Sequence, residues 1–129
     1  MPTIADVMRS EFIEVAPEDT LGEVADRMNA INMGAVVVKD FGRLIGILTE
    51  RDLLKAMAAR VHTSEARVRQ WMTENPITAS ADTDVEEAAR VMLDNGFRHL
   101  PVLDEHGQVT GVVSLRRVVG ATQAARDPA

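Results

Sequence analysis

The chain has 129 residues, of which 46% are hydrophobic and 26% are charged, and its formal net charge is −6. This length suffices for one compact domain or for two small halves that share a core. The excess of acidic residues argues against nonspecific binding to nucleic acid, which depends on Lys and Arg side chains that face phosphates.

The sequence contains no cysteine, which excludes disulfide bonds and is typical of a protein in a reducing cytoplasm. No apolar run approaches the ~20 residues that cross a bilayer, and the N-terminal segment lacks the apolar centre of a signal peptide. We therefore expect a cytoplasmic protein that does not associate with membranes.

The sequence repeats itself along the chain. At a spacing of 64 residues the matches include Met8 with Met72, Ile13 with Ile77, Glu23 with Glu87, Met28 with Met92, and Val38 with Val102. A one-residue insertion then shifts the spacing to 65, at which Gly46 matches Gly111 and Arg51 matches Arg116. Because all these matches are collinear, two copies of one unit fill nearly the whole chain.

Each copy predicts the same order of elements, which is β-α-β-β-α after a short helical lead-in. In the first copy these are a lead-in helix over Ile4–Met8, a strand over Ile13–Val15, a helix from Leu21, a hairpin of AVVVKD and RLIGILT, and a helix from near Glu50. In the second copy they are a lead-in helix over Val68–Met72, a strand over Ile77–Ala79, a helix from Val85, a hairpin of HLPVLD and QVTGVVS, and a helix from near Leu115. The helices carry apolar residues at i, i+3, i+4 and i+7, and the strands are continuous apolar runs.

These patterns predict an α/β (α+β) fold of two tandem units. A unit of this size buries too little surface to be comfortably stable alone, so we expect the two to pack sheet to sheet about a pseudo-two-fold axis, with two clefts between them. The predicted boundaries are residues 1–62 for the first unit with its N-terminal lead-in, 63–122 for the second, and 123–129 for a flexible tail.

The ordered set of segments resembles the cystathionine β-synthase (CBS) domain pair, also called a Bateman module. It consists, in the two copies, of VMRSEFIEV and WMTENPITA, GAVVVKD and RHLPVLD, and GILTERDLL and GVVSLRRVV. The resemblance covers residues 4 to about 122 and implies a stand-alone regulatory module, not an enzyme, that binds AMP, ADP or ATP. It also implies a homodimer and a regulated protein that the sequence does not identify.

The family's ribose motif is present in the first copy as Gly46-Ile47-Leu48-Thr49-Glu50-Arg51-Asp52. The resemblance implies that an ionised Asp52 accepts hydrogen bonds from ribose hydroxyls, that Thr49 serves ribose or phosphate, and that Ile47 lies against the face of the adenine. The alternative is that Thr49 and Asp52 form a capping box at the start of the last helix. The two roles are compatible.

The second copy replaces the aspartate of this motif by Arg117, which cannot accept a hydrogen bond, and keeps Ser114. The resemblance further implies that Arg98 and His99 hold the phosphates of the nucleotide whose ribose lies on the other copy. One cleft would then combine Thr49, Asp52, Arg98 and His99, and a degenerate cleft would combine Ser114, Arg117, Gly34 and Ala35. Alternatively, Arg98 and His99 are solvated surface residues, or Arg117 itself binds an anion.

By the same analogy, Ile77 and Thr78 contact the adenine, and the alternative for both is core packing within a strand. The three histidines share no metal-ligand spacing, so we expect no metal site, and no catalytic triad is present. The functional alternatives are a structural dimerisation module with empty clefts and a binder of S-adenosylmethionine or NAD. A small hydrolase or transferase would need a nucleophile or metal constellation that the sequence lacks, and the net charge disfavours nucleic-acid binding.

Overall fold

The computed structural model describes residues 2–126, with side chains for 2–123. Thirteen elements follow in chain order: α1 (Ile4–Val7), β1 (Glu14–Val15), α2 (Leu21–Ile31), β2 (Ala35–Asp40), β3 (Arg43–Thr49), α3 (Glu50–Ala58), α4 (Val68–Trp71), β4 (Thr73–Glu74), β5 (Ala79–Ser80), α5 (Val85–Asn95), β6 (His99–Leu103), β7 (Val109–Ser114) and α6 (Leu115–Arg126). This mixed α/β content with two sheets confirms the predicted fold class.

The chain forms two compact units, each with its own sheet. The first unit is Phe12–Pro76, and the second unit is the described part of Met1–Glu11 and Ile77–Ala129. In the first unit the strand order is β1-β2-β3-β4, with β1 parallel to β2 and the other pairs antiparallel. In the second unit the order is β5-β6-β7, with β5 parallel to β6 and β6 antiparallel to β7.

The two hairpins share a register irregularity at the same position of the repeat. It lies between Val38 and Lys39 in the first unit and between Val102 and Leu103 in the second. In the turn of the second hairpin, Asp104 accepts hydrogen bonds from the amides of His106 and Gln108. The hydrogen bond from Gln108 is the main cause that lowers the pKa of Asp104 below its ordinary value.

Each unit has an aliphatic core of its own. The first core is formed by Ile13, Val15, Leu21, Val24, Met28, Met33, Val36, Val38, Leu48, Ala56, Ala66 and Val68. The second core is formed by Ile4, Val85, Ala88, Met92, Leu100, Val102, Val113 and Val118. Helices α2 and α5 reach these cores through their apolar faces, as their 3.6-residue periodicity predicts.

The compact units do not follow the predicted boundary between residues 62 and 63. The N-terminal lead-in, assigned from the sequence to the first unit, belongs to the second. Its amides at Ile4 and Ala5 donate to the carbonyls of Thr83 and Ala81, each at 2.8 Å. Helix α4 plays the same part in the first unit, where Val68 occupies the position that Ile4 occupies in the second.

The C-terminal boundary also differs from the sequence-based prediction. The flexible tail was predicted to begin at residue 123, but α6 extends to Arg126. Residues 127–129, which complete the predicted tail, lie outside the described part of the chain.

Replacing Ile4 by alanine is expected to destabilise the second unit by about 2–4 kcal/mol, although this residue is only three positions from the N-terminus. Its side chain is fully buried in the second core, and truncation of a buried isoleucine leaves a cavity. Val68→Ala is the matched control, since it removes a fully buried side chain at the equivalent position of the first unit. Hydrogen exchange should show faster opening in residues 77–118 for the first variant and in 12–76 for the second. Identical patterns would contradict the assignment of the lead-in.

Candidate functional site

Thr49 and Asp52 lie where β3 ends and α3 begins, and they form a reciprocal capping box. The Thr49 amide donates to Asp52 Oδ2 at 2.9 Å, and the Asp52 amide donates to Thr49 Oγ1 at 3.4 Å. Both bonds satisfy amides that a helix start leaves without an intrahelical partner. The capping interpretation is therefore confirmed, and it fixes the Asp52 carboxylate in one orientation.

The capping box uses only one of the two carboxylate oxygens of Asp52. Oδ2 accepts from the Thr49 amide and, at 3.2 Å, from the Thr49 hydroxyl. Oδ1 has no hydrogen-bond partner within residues 2–126. Asp52 as a whole is only 7% exposed. Every buried side-chain oxygen of the described residues has a hydrogen-bond partner. Because Oδ1 has none, this oxygen is not buried and is accessible to solvent. A fixed, accessible carboxylate oxygen is an acceptor for hydroxyl donors of a ligand.

The residues beside this motif within the first unit offer only backbone groups. The carbonyl of Gly34 accepts from the Glu50 amide at 3.0 Å, and Ala35 pairs with Thr49 across the hairpin. Neither residue carries a polar side chain. Gly34 and Ala35, predicted for the degenerate cleft, thus adjoin Thr49 and Asp52 within the first unit.

The equivalent corner of the second unit lacks the carboxylate. Ser114 Oγ accepts from the Arg117 amide at 3.3 Å, which preserves half of the capping box. The Arg117 side chain is exposed, and the first turn of α6 contains no acidic residue. This corner therefore offers no carboxylate to ribose hydroxyls.

Arg98 and His99, the predicted phosphate ligands, adjoin the motif of their own unit. The Arg98 carbonyl accepts from the Leu115 amide at 2.7 Å, and His99 pairs with Ser114 between β6 and β7. Arg98 is exposed and His99 is half-buried. Their predicted combination with Thr49 and Asp52 joins residues of different compact units and stays a prediction.

The three predicted adenine contacts differ in their surroundings. Ile47 is buried in β3, where its neighbours in register are Val37 and Thr73. The predicted strand over Ile77–Ala79 begins only at Ala79. Ile77 is 39% exposed, and Thr78 is exposed as well. Core packing within a strand, the alternative considered for Ile77 and Thr78, is therefore wrong for both.

Sequence reasoning missed why the motif at residues 46–52 begins with glycine. A Cβ atom on Gly46 would lie 2.7 Å from Met72 Sδ and 2.9 Å from the Thr73 carbonyl oxygen. On Gly111 it would lie 2.8 Å from the carbonyl oxygen of Arg9. The glycines therefore allow the segment after each lead-in helix to pack closely against the strand that carries the motif. The sequence did contain a signal for this packing, since Met8 and Met72 occupy equivalent positions of the repeat and lie next to Gly111 and Gly46, respectively.

A second feature that the sequence did not reveal is an open pocket of about 400 Å³ in the first unit. Its lining residues are Val61, His62, Glu65, Ala66, Gln70 and Trp71. None of the predicted nucleotide-binding residues contributes to it. Trp71, which is half-buried, also packs against the first core.

No group of three or more His, Asp or Glu side chains in residues 2–126 is placed to hold a metal ion. None of the helices in this part of the chain has the length and the apolar content needed to cross a membrane.

Relatives of known sequence extend along most of the chain. An uncharacterised 17.7 kDa protein encoded in the bps2 3′ region of Acidianus ambivalens is 36% identical over 119 residues, which are 92% of this chain and 71% of that protein. The protein MK0525 of Methanopyrus kandleri is 34% identical over 119 residues, which are 91% of this chain and 61% of that protein. The chain thus spans about two thirds of the length of these relatives.

Three solved structures with bound ligands have the same fold. The CBS domain pair of protein MJ0100, in complex with 5′-methylthioadenosine and S-adenosyl-L-methionine, is 25% identical with a TM-score of 0.83 and covers 97% of this chain and 98% of its own. CBSX2 in complex with AMP is 25% identical with a TM-score of 0.79 and coverages of 98% and 100%. The cytosolic domain of the Mg²⁺ channel MgtE in complex with ATP is 31% identical with a TM-score of 0.76 and coverages of 93% and 48%.

The family model of the CBS domain matches the chain twice, over residues 4–59 and 68–123. These two ranges correspond to the two copies of the internal repeat, and each contains one corner between a strand and a helix with the glycine-initiated motif. The chain therefore belongs to the CBS domain family and carries a pair of CBS domains.

Proposed function

We propose that this chain is a non-catalytic regulatory module that binds an adenine nucleotide, AMP, ADP or ATP, and that Asp52 holds the ribose. The observation that carries the proposal is the Asp52 carboxylate. One of its oxygens is fixed by the capping box, and the other is accessible and has no partner within the described residues. An ionised carboxylate accepts hydrogen bonds and cannot donate them, so it suits a diol.

The ligands named for the similar structures support this class of ligand. AMP, ATP, 5′-methylthioadenosine and S-adenosyl-L-methionine all contain an adenosine moiety. Their common ribose carries two vicinal hydroxyls, which are the donors that a carboxylate recognises. Asp52 by itself therefore selects ligands that carry a ribose diol, and other residues must recognise the adenine and distinguish the members of this class.

The remaining predicted contacts complete the proposal. Arg98 and His99 are proposed to hold phosphate, since an arginine guanidinium presents paired donors to phosphate oxygens. With Arg117 in place of the second aspartate, we propose one ligand per chain. The ligand would favour one conformation of the module, and a partner protein would respond to that change. Assembly as a homodimer and a cytoplasmic location belong to the same proposal.

A ligand panel tests the proposal through the melting temperature of the chain. We expect AMP, ADP or ATP at about 100 times its Kd to stabilise the native state by ~2.7 kcal/mol, which raises the melting temperature by several degrees. The matched control ligand is 2′-deoxy-AMP, which lacks one hydroxyl and should bind at least about tenfold more weakly, because a charge-assisted hydrogen bond is lost.

Other outcomes of the same panel separate the alternatives. Stabilisation by S-adenosylmethionine or NAD in preference to AMP would support a binder of another adenosyl ligand. A melting temperature that no adenosyl compound changes at millimolar concentration would contradict the proposal and favour a structural dimerisation module with empty clefts.

A further inference from the structure

The open pocket of about 400 Å³ in the first unit has a backbone wall that is held in place without a ligand. The Leu21 amide, at the start of α2, donates to the Ala66 carbonyl at 3.0 Å. The next amide, that of Gly22, donates to the Thr63 carbonyl at 2.9 Å. A Cβ atom on Gly22 would lie 3.3 Å from the same carbonyl oxygen, so this wall packs closely against α2. A pocket that is formed before its ligand arrives is usual for a small-molecule site.

The side chains that line this pocket combine an indole with a carboxylate. Trp71 is half-buried and packs against the first core, which restricts the motion of its ring. Glu65 is exposed, and its carboxylate has no ion pair or hydrogen bond within residues 2–126. His62 is the other titratable residue of the lining, and no lysine or arginine of the described chain contributes to it.

The two arginines closest to Glu65 in sequence do not neutralise it. Arg67 Nη1 donates to the Glu18 carbonyl at 2.9 Å, and Arg69 Nε pairs with a carboxylate oxygen of Glu18 at 2.6 Å. Both guanidinium groups are therefore engaged by Glu18. A cation supplied by a ligand would meet in this pocket a carboxylate whose charge is unpaired among the described residues, together with an indole.

We propose that this pocket binds a guanidinium group, with Glu65 as its carboxylate partner and Trp71 as its aromatic partner. A guanidinium is planar, donates paired hydrogen bonds to a carboxylate, and is attracted to aromatic faces. A primary ammonium is more strongly hydrated and lacks the planar shape, so arginine derivatives should bind in preference to lysine derivatives. The guanidinium belongs either to a free small molecule or to an arginine side chain of a partner protein. Thr49 and Asp52 do not line this pocket, so the inference is independent of the proposed nucleotide binding.

The repeat does not duplicate this site in the second unit. At the spacing of 64 residues Trp71 corresponds to Val7, and Glu65 corresponds to Met1. Val7 packs against the second core and has no aromatic ring. Since neither an indole nor a carboxylate is present at these positions, we expect one guanidinium per chain.

Fluorescence of Trp71 tests the inference directly, because the chain contains a single tryptophan. Titration with N-acetylarginine amide should give a saturable change with a Kd on the order of 1 mM for a ligand of this size. The matched control compound is N-acetylcitrulline amide, in which a neutral urea replaces the guanidinium. It should bind about tenfold or more weakly, because the charge-assisted hydrogen bonds are lost. Equal binding of the two compounds, or of N-acetyllysine amide, would overturn the assignment to a guanidinium.

Two further ligands distinguish the sources of the guanidinium. Free arginine represents a small molecule, and a blocked pentapeptide with arginine at its centre represents the side chain of a partner protein. Tighter binding of the peptide would support a partner protein, whereas tighter binding of free arginine would support a small molecule. No saturable response to any of these compounds at millimolar concentration would overturn the inference.

Glu65→Gln should weaken the binding of N-acetylarginine amide by about tenfold, since one charged acceptor is lost. The matched control is Glu74→Gln, which makes the same change of charge at an exposed residue of the first unit outside the pocket and should bind like the wild type. Neither variant should change the melting temperature without ligand. Equal losses of affinity in both variants would reduce the effect to net charge and overturn the inference.

AMP and Asp52→Asn separate this site from the proposed nucleotide site. Asp52→Asn should retain the full response of Trp71 to N-acetylarginine amide. Competition between AMP and this compound for one site would assign the pocket to the nucleotide and overturn the inference. Failure of the wild-type chain to bind AMP, with the arginine response intact, would overturn the proposed function alone.

Discussion

Asp52→Asn is expected to weaken AMP binding by about 10–100-fold while changing the free energy of unfolding by less than about 1 kcal/mol. The asparagine side chain retains a carbonyl oxygen that can accept from the Thr49 amide, so the capping box of α3 keeps its main hydrogen bond. The variant loses the negative charge and replaces one acceptor oxygen by a donor. Hydrogen bonds to charged groups contribute about 1.5–3 kcal/mol, which corresponds to the expected loss of affinity. Titration calorimetry and chemical denaturation measure the two quantities separately.

The matched control is Arg117→Asp, at the equivalent position of the second unit. Because α6 has no acidic residue in its first turn, an aspartate there should complete the capping box with Ser114 and stabilise the helix by about 0.5–1.5 kcal/mol. AMP binding at the original site should not weaken. Undiminished AMP binding by Asp52→Asn, with the stability of both variants as expected, would show that the Asp52 carboxylate serves only as a helix cap.

Gly46→Ala and Gly111→Ala are each expected to destabilise the chain by about 1–3 kcal/mol, although alanine adds a single methyl group. In both cases the added Cβ would lie under 3.0 Å from a backbone carbonyl oxygen. That oxygen belongs to a segment held by sheet hydrogen bonds, β4 in the first unit and the Arg9–Val112 bridge in the second. Because the backbone cannot move away freely, overpacking should disrupt the docking of the lead-in segment.

Gly120→Ala provides the control for these two variants. Gly120 lies inside α6, and a Cβ atom there would meet no heavy atom of the described chain within 4 Å. Alanine is favoured over glycine within a helix by roughly 0.5–1 kcal/mol, so this variant should be more stable than the wild type. Denaturant midpoints of the three variants measure the contrast. Equal stabilities would contradict the close packing inferred at Gly46 and Gly111.

The sequence predicted the elements well because their signals are local. The 3.6-residue apolar spacing located α2 and α5, and the apolar runs around Gly42 and Gly107 located the hairpins. The start of β5 was predicted two residues early, since the strand pattern of Ile77 and Thr78 matches that of the first copy. In the first unit the Val37 amide donates to the Ile13 carbonyl beside β1, whereas the equivalent residue of the second unit, Pro101, has no amide hydrogen to donate. This difference is distant in sequence from β5, and it matters only once the two strands are paired.

The sequence was also sufficient to predict the capping box of the first copy and its absence from the second. Thr49 and Asp52 stand at the spacing of a capping box, and Arg117 breaks that pattern in the second copy. These inferences need only side-chain chemistry and the order of residues. The hydrogen bonds themselves, and the fact that Asp52 uses one oxygen and leaves the other accessible, required coordinates.

The sequence by itself therefore determined the two copies of the unit, the family resemblance, and the presence of an intact motif in one copy only. The tertiary structure decided which lead-in packs in which unit, because burial of Ile4 depends on surfaces that the second half of the chain provides. It also decided that one oxygen of Asp52, Oδ1, has no hydrogen-bond partner among residues 2–126. The sequence shows which groups can donate or accept a hydrogen bond. Whether such a group finds a partner depends on residues that come close to it only in the folded chain.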